Sequence, residues 1–140
     1  EHLTEELLDR LLASASIEQY LDEGLVSART LTDYLFDRME AHDLRRADVV
    51  RASGLNATVV YDIFSGKSRP GRDHAIMLAF GLKYTLRETQ RLLRLAGVSE
   101  LWCKQRRDAI IIWCIRNGFD RIATDDELYR MGEATLLPAD

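Results

Sequence analysis

The 140-residue sequence predicts an all-α fold on three observations. Apolar residues recur at three- and four-residue spacing along nearly the whole chain, while the strict alternation of a half-buried strand is almost absent. Capping boxes, a Ser or Thr followed three residues on by Glu or Gln, open at Ser16, Thr85 and Thr124. Glycines stand where the apolar stripes run out, at positions 24, 54, 66, 97, 118 and 132. With 46% hydrophobic and 30% charged residues, the chain has the composition of a globular domain large enough to bury a core.

Taken in order, Leu3, Leu7, Leu8, Leu11 and Leu12 form one stripe and predict a helix over 4–13. Ser16 opens a short helix through Asp22, ended by Gly24. Thr30 or Thr32 caps the next, whose stripe of Leu31, Leu35 and Met39, flanked by Tyr34 and Phe36, runs to about His42. Residues 46–53 make a two-turn helix ended by Gly54, and Asn56 caps a helix that reaches Phe64 before Gly66. Pro70 follows the basic loop Lys67–Ser68–Arg69 and cannot lie inside a helix. A helix resumes over 72–81 with Ala75, Ile76, Leu78 and Ala79 inward. Thr85 and Glu88 open another, with Leu86, Leu92, Leu93 and Leu95 facing the core. Residues 101–117 read as a helix that is apolar on every side from Ala109 to Ile115. Two readings stay open for it: a central core helix packed by Trp102, Trp113, Cys103 and Cys114, or a core helix that also forms a homodimer seam. A last short helix opens at Thr124. The expected architecture is a compact multi-helix bundle of about nine helices, with an acidic segment at 1–29, a central domain at 30–97 and a C-terminal extension at 98–140.

Charge is distributed unevenly. Residues 1–44 carry three Arg against eleven acids, a net −8, and residues 45–94 carry ten Lys and Arg against four acids, a net +6. Residues 95–140 have a net −2, which completes the overall −4. A basic middle in an acidic chain is the footprint of a nucleic-acid face. The same arginines could also be merely solvated, or paired with the acidic N-terminal segment, which is in turn a candidate contact for a protein partner. No apolar run approaches the roughly 20 residues of a membrane span, and the first ten residues, with four acids, do not read as a leader. Two cysteines eleven apart fit a reduced, cytoplasmic setting.

Enzymatic chemistry finds no support. His2, His42 and His74 show no metal-ligand spacing, so no metal or cofactor is expected. Ser65–Gly66–Lys67–Ser68 resembles the end of a phosphate-binding loop, but Tyr61 stands where its first glycine belongs and no strand precedes it.

The stretch 44–85 carries the functional signal. Val49 and Val50 on one short helix face Val60 and Ile63 on the next, Gly54 supplies a left-handed turn, and Leu55 plugs that turn from beneath. With Ser53, Gly66, Lys67, Pro70 and Ala79 to Leu82, these residues give a stretch that resembles the Cro/C1 repressor-type (XRE-like) helix-turn-helix family across about 50 residues. The resemblance implies that the second helix enters the DNA major groove, with Asn56, Ala57, Thr58, Tyr61 and Asp62 facing bases. It also implies that Arg45, Arg46, Lys67, Ser68, Arg69 and Arg72 hold phosphates. Three departures stand out: Arg45 and Arg46 replace the family's usual Ser/Thr and Gln, Val50 replaces a common Ala, and the recognition helix has no Arg, Lys or Gln. The expectation is a sequence-specific DNA-binding regulator, with a homodimer as the further possibility that the resemblance implies. The competing expectation is a protein-interaction module, an antitoxin or adaptor with the same helices and no DNA.

Overall fold

The structure is a computed structural model and describes residues 4–22 and 30–138. The expected helix end at Gly24 and Leu3 of the first stripe lie outside these. Among the described residues there are nine helices and no strand: α1 (Thr4–Ala13), α2 (Ile17–Asp22), α3 (Leu31–Ala41), α4 (Arg46–Ser53), α5 (Ala57–Phe64), α6 (Arg72–Gly81), α7 (Leu86–Leu95), α8 (Arg106–Arg116) and α9 (Arg121–Arg130). No helix among them is long and apolar enough to cross a membrane.

Local sequence explains most of the boundaries. Thr30, not Thr32, caps α3: its Oγ1 accepts from the Asp33 N–H at 3.3 Å while the Asp33 carboxylate accepts from the Thr30 N–H. Thr85 and Glu88 make the same reciprocal pair at the start of α7, at 3.2 and 2.9 Å. Gly54 closes α4 in the left-handed region at φ 79, where any other residue would be strained. Asn56 then opens α5 by accepting from the Thr58 N–H at 2.8 Å.

The core is organised around α6. Ala75, Ile76, Met77, Leu78, Ala79 and Gly81 are all buried, since α4, α7 and α9 pack about it on different sides. The tightest of these contacts is with α4: a Cβ built at Gly81 would lie 2.9 Å from both the Val49 carbonyl oxygen and the Ser53 Cβ. Glycine is therefore required for the two backbones to approach this closely. On the far side, Glu88 latches α3 to α7. Arg38 donates to its Oε2 at 2.7 Å, His42 lies 3.5 Å from its Oε1, and the Tyr34 hydroxyl donates to its carbonyl. Burial alone would raise the Glu88 carboxyl, but the Thr85 N–H, Arg38 and His42 outweigh it and hold it below the ordinary value.

Three sequence expectations are corrected. The extension's first helix starts at Arg106, not near 101, because the Gln90 side chain ties both the N–H and the carbonyl of Leu101 at 2.7 and 2.8 Å and fixes that segment as loop. The last helix starts at Arg121, one turn early. Asp120 caps it through the Ala123 N–H, and the Thr124 hydroxyl donates back to the Asp120 carbonyl inside the helix instead of opening it. The third concerns surfaces expected to pack. Ile111, Cys114 and Asp108 are buried on α8 and Ile110, Ile112 and Ile115 are half-buried against the core, but Trp113 is 53% exposed and Trp102, in the loop before the helix, 60% exposed. Leu8 and Leu12 on α1 are likewise exposed, at 53% and 74%.

Replacing Gly81 with Ala should destabilise the chain by about 1–3 kcal/mol, since the obstructing atoms include backbone that cannot rotate away. Chemical denaturation measures this. Gly71→Ser, at a helix N-cap with nothing near its Cβ, serves as the control and should change stability by no more than a few tenths.

Candidate nucleic-acid interface

The α4–α5 pair presents one continuous outer face. Val60, Ile63 and Phe64 bury one side of α5 against Val49 and the core, and Val59 is half-buried beside them. That leaves Ala57, Thr58, Tyr61 and Ser65 exposed along the opposite side, with Tyr61 at 45%. Spacings of three and four residues keep them in one row. Asp62 is half-buried at the edge, and its carbonyl accepts from the Lys67 and Ser68 N–H groups at 2.9 and 3.2 Å, closing the end of α5 into the basic loop.

A cation joins this row from α4. The Arg46 guanidinium carbon lies 5.3 Å from the centre of the Tyr61 ring, a cation–π stack between two exposed side chains fifteen residues apart. The stack orients both groups outward without consuming the guanidinium's donors. Arg45 also points to solvent. Its side chain has no acceptor and cannot cap α4; the Asp48 carboxylate instead accepts the Arg45 N–H at 3.0 Å. Arg45 and Lys67 have no ion-pair partner among the described residues. Ser68 is exposed with its amide already bonded, so only its hydroxyl remains for a ligand.

Two side chains depart from the expected set. Arg69 turns back toward α7, donating to the Leu95 carbonyl at 3.4 Å and lying beside Gly97. Its tie is a single long bond at the surface. Arg72 is removed from the phosphate set altogether. It makes a bidentate pair with the buried Asp108 at 2.9 and 2.6 Å and donates further to the carbonyls of Ser99 and Glu100. The reason is positional: Arg72 sits at the first residue of α6, over which the start of α8 folds. Arg107 adds a second tie there, pairing with Asp73 at 2.9 Å. Asn56 keeps its exposed place, but its carboxamide oxygen is taken by the cap, which leaves the NH₂ group as its free donor.

The turn before α5 has a support that sequence reasoning missed. Arg121 of α9 lies against Gly54, so that a Cβ there would fall 2.5 Å from its Nε. Arg121 is itself held by Asp125 at 2.7 Å, and Asp125 accepts from the Leu136 and Leu137 N–H groups. The C-terminal extension thus buttresses the α4–α5 turn. The two partners are 67 residues apart, and no sequence signal links them. His42 and His74 play no part in this face: His42 belongs to the Glu88 latch, and His74 is an isolated exposed residue on α6. Among the described residues no cluster of His, Cys, Asp and Glu could hold a metal.

If Arg72 serves the fold, Arg72→Ala and Asp108→Ala should each cost about 3–5 kcal/mol, with a double variant costing far less than their sum. Burial would raise the Asp108 carboxyl, but hydrogen bonds from Arg72 and the Trp102 N–H, with the charges of Arg72 and Arg107, keep it below the ordinary value. A depressed carboxyl contributes stability above its unfolded value of about 3.9, and the contribution disappears as pH falls through the folded value. Wild type should therefore lose more stability than Asp108→Asn when denaturation midpoints at pH 7 are compared with those below about pH 4. Parallel curves would show that the pair is not the linked group.

No family model, curated protein or solved structure matches the chain.

Proposed function

We propose that this protein is a sequence-specific, DNA-binding transcriptional regulator that lays α5 in the major groove. The observation that carries the reading is the exposed row Ala57, Thr58 and Tyr61 on a helix anchored by its opposite side, with Arg46 stacked on Tyr61 and Arg45 and Lys67 open at either end. A helix of 10–12 Å diameter fits a groove about 12 Å wide, so the row faces base edges when the flanking cations reach phosphates.

Roles follow from the chemistry. The methyls of Ala57 and Thr58 suit a thymine methyl, and the Thr58 hydroxyl suits a base-edge donor or acceptor. Asn56 offers its NH₂ donor, and its carboxamide oxygen, which accepts the Thr58 N–H, keeps one lone pair for a base. Asp62 accepts, which suits a cytosine amino group and repels phosphate. From the Arg46–Tyr61 stack the guanidinium serves a phosphate and the phenol the groove. With Arg72 committed to Asp108, Arg45, Arg46 and Lys67 bear most of the backbone attraction, joined by Arg69 when it leaves the Leu95 carbonyl. Occlusion of a promoter is the mode of regulation that the resemblance to Cro/C1-type repressors implies.

Anisotropy titrations of duplex DNA across a salt series test this. Affinity should fall steeply as salt rises, and Arg46→Ala or Lys67→Ala should weaken all duplexes alike, each lowering the slope by about one. Tyr61→Ala should change which duplexes are preferred. Absence of duplex binding at low salt would remove the reading and favour the interaction module.

A further inference from the structure

Between α7 and α8 the backbone is tied down while the side chains are left open. Gln90 holds the N–H and the carbonyl of Leu101 at 2.7 and 2.8 Å. The Trp102 N–H donates to the buried Asp108 at 3.0 Å, and Gln105 caps α8 by accepting the Asp108 N–H at 2.7 Å. Between these ties Trp102, Cys103 and Lys104 are all exposed, Trp102 at 60%. The Trp102 indole N–H and the Lys104 ammonium have no partner among the described residues. Free donors on a fixed loop are what a scaffold presents to a ligand.

This loop is joined to the basic loop that follows α5. Arg69 donates to the Leu95 carbonyl, and Arg72 donates to the carbonyls of Ser99 and Glu100 at 3.0 and 2.9 Å while it grips Asp108. The basic loop itself closes the end of α5 through the Asp62 carbonyl. The α5 face, residues 67–72 and residues 99–105 therefore follow one another across the surface. Most charges here cancel in pairs: Arg72 with Asp108, Arg107 with Asp73, Arg106 with Glu133 at 4.0 Å and Arg94 with Glu100 at 3.9 Å. Lys67, Arg69 and Lys104 remain, and no carboxylate within 67–72 or 95–108 is left unpaired; Asp62, at the edge of α5, borders them.

We propose that Trp102 and Lys104 make a second hold on duplex DNA, on backbone phosphates beyond those held by Lys67 and Ser68. This rests on the reading of α5 as a groove-binding helix. Both side chains offer donors, a phosphate oxygen accepts from either, and neither presents an acceptor that would compete. The loop backbone is already ordered, so binding costs little further freedom. Arg72, withdrawn from the phosphates, holds in place the loop that meets them instead. The contact adds affinity and footprint, while sequence preference stays with α5.

The exposed Cys103 supplies the test, since Cys114 is buried. Alkylation of Cys103 by N-ethylmaleimide should slow at least about fivefold when the full chain is saturated at low salt with a mixed-sequence 30-base-pair duplex. In anisotropy titrations Lys104→Ala should lower the salt slope by about one, and Trp102→Ala should weaken all duplexes alike by about fivefold. Thermal melts of both variants should match wild type, because both side chains are exposed and the Trp102 N–H keeps its bond to Asp108. Duplex binding whose preference shifts with Tyr61→Ala, but with an unchanged Lys104→Ala slope and a fully reactive Cys103, would overturn this second hold and leave the α5 reading standing. Absence of duplex binding would remove both. Cys103 protected without DNA, and more so at higher protein concentration, would also overturn the proposal, since a second copy would then cover the loop.

Discussion

The missing Cβ at Gly81 sets the distance between α4 and α6, and the outward parts of the structure depend on that distance. With the Val49 carbonyl and Ser53 Cβ only 2.9 Å from where a Cβ would stand, α4 lies directly on the central helix. Val49 is fully buried there, and α5 is carried with α4 through the left-handed Gly54 turn. The direction in which Thr58 and Tyr61 point is thus fixed two contacts inward from the surface. A methyl group at residue 81 would act on a face it does not touch.

A second constraint is electrostatic. Arg72 and Asp108, with Arg107 and Asp73, form a polar seam where α6 begins and α8 folds over it. A buried charged pair is weak evidence for stability, since two apolar residues of the same volume often do as well, but losing one partner strands the other. What the seam supplies is position. It holds the C-terminal extension in the register that presses Arg121 onto the Gly54 turn, so the extension supports the α4–α5 pair from behind. The seam also lowers the charge available to a ligand, since one of the ten cations of residues 45–94 is directed inward.

Features governed by neighbours in sequence were legible beforehand. The bounds of α4, α5, α6 and α7 followed from Gly54, Asn56, Pro70 and the Thr85–Glu88 box, because caps and left-handed turns act within four residues. The outward row on α5 followed from helical periodicity once Val60 and Ile63 were read as inward. Tertiary pairings were not legible. Nothing in the sequence marks Arg72 as the partner of a residue 36 positions on, or Gln90 as the tie that keeps Leu101 out of a helix. The Thr124 signal misled because Asp120, a stronger cap, stood one turn upstream. The leucine stripe of α1 marked the helix and no more, since periodicity shows that a face is apolar and not what covers it.

The central claim is that the row on α5 reads base sequence. Selection of bound duplexes from a random pool by the full chain, followed by sequencing, tests it most directly. The account predicts an enriched motif of a few base pairs whose preferred bases shift in a parallel selection with a Thr58→Val chain, which keeps the methyl and loses the hydroxyl. A pool that binds without enriching any motif, or a motif unaltered by that change, would contradict it.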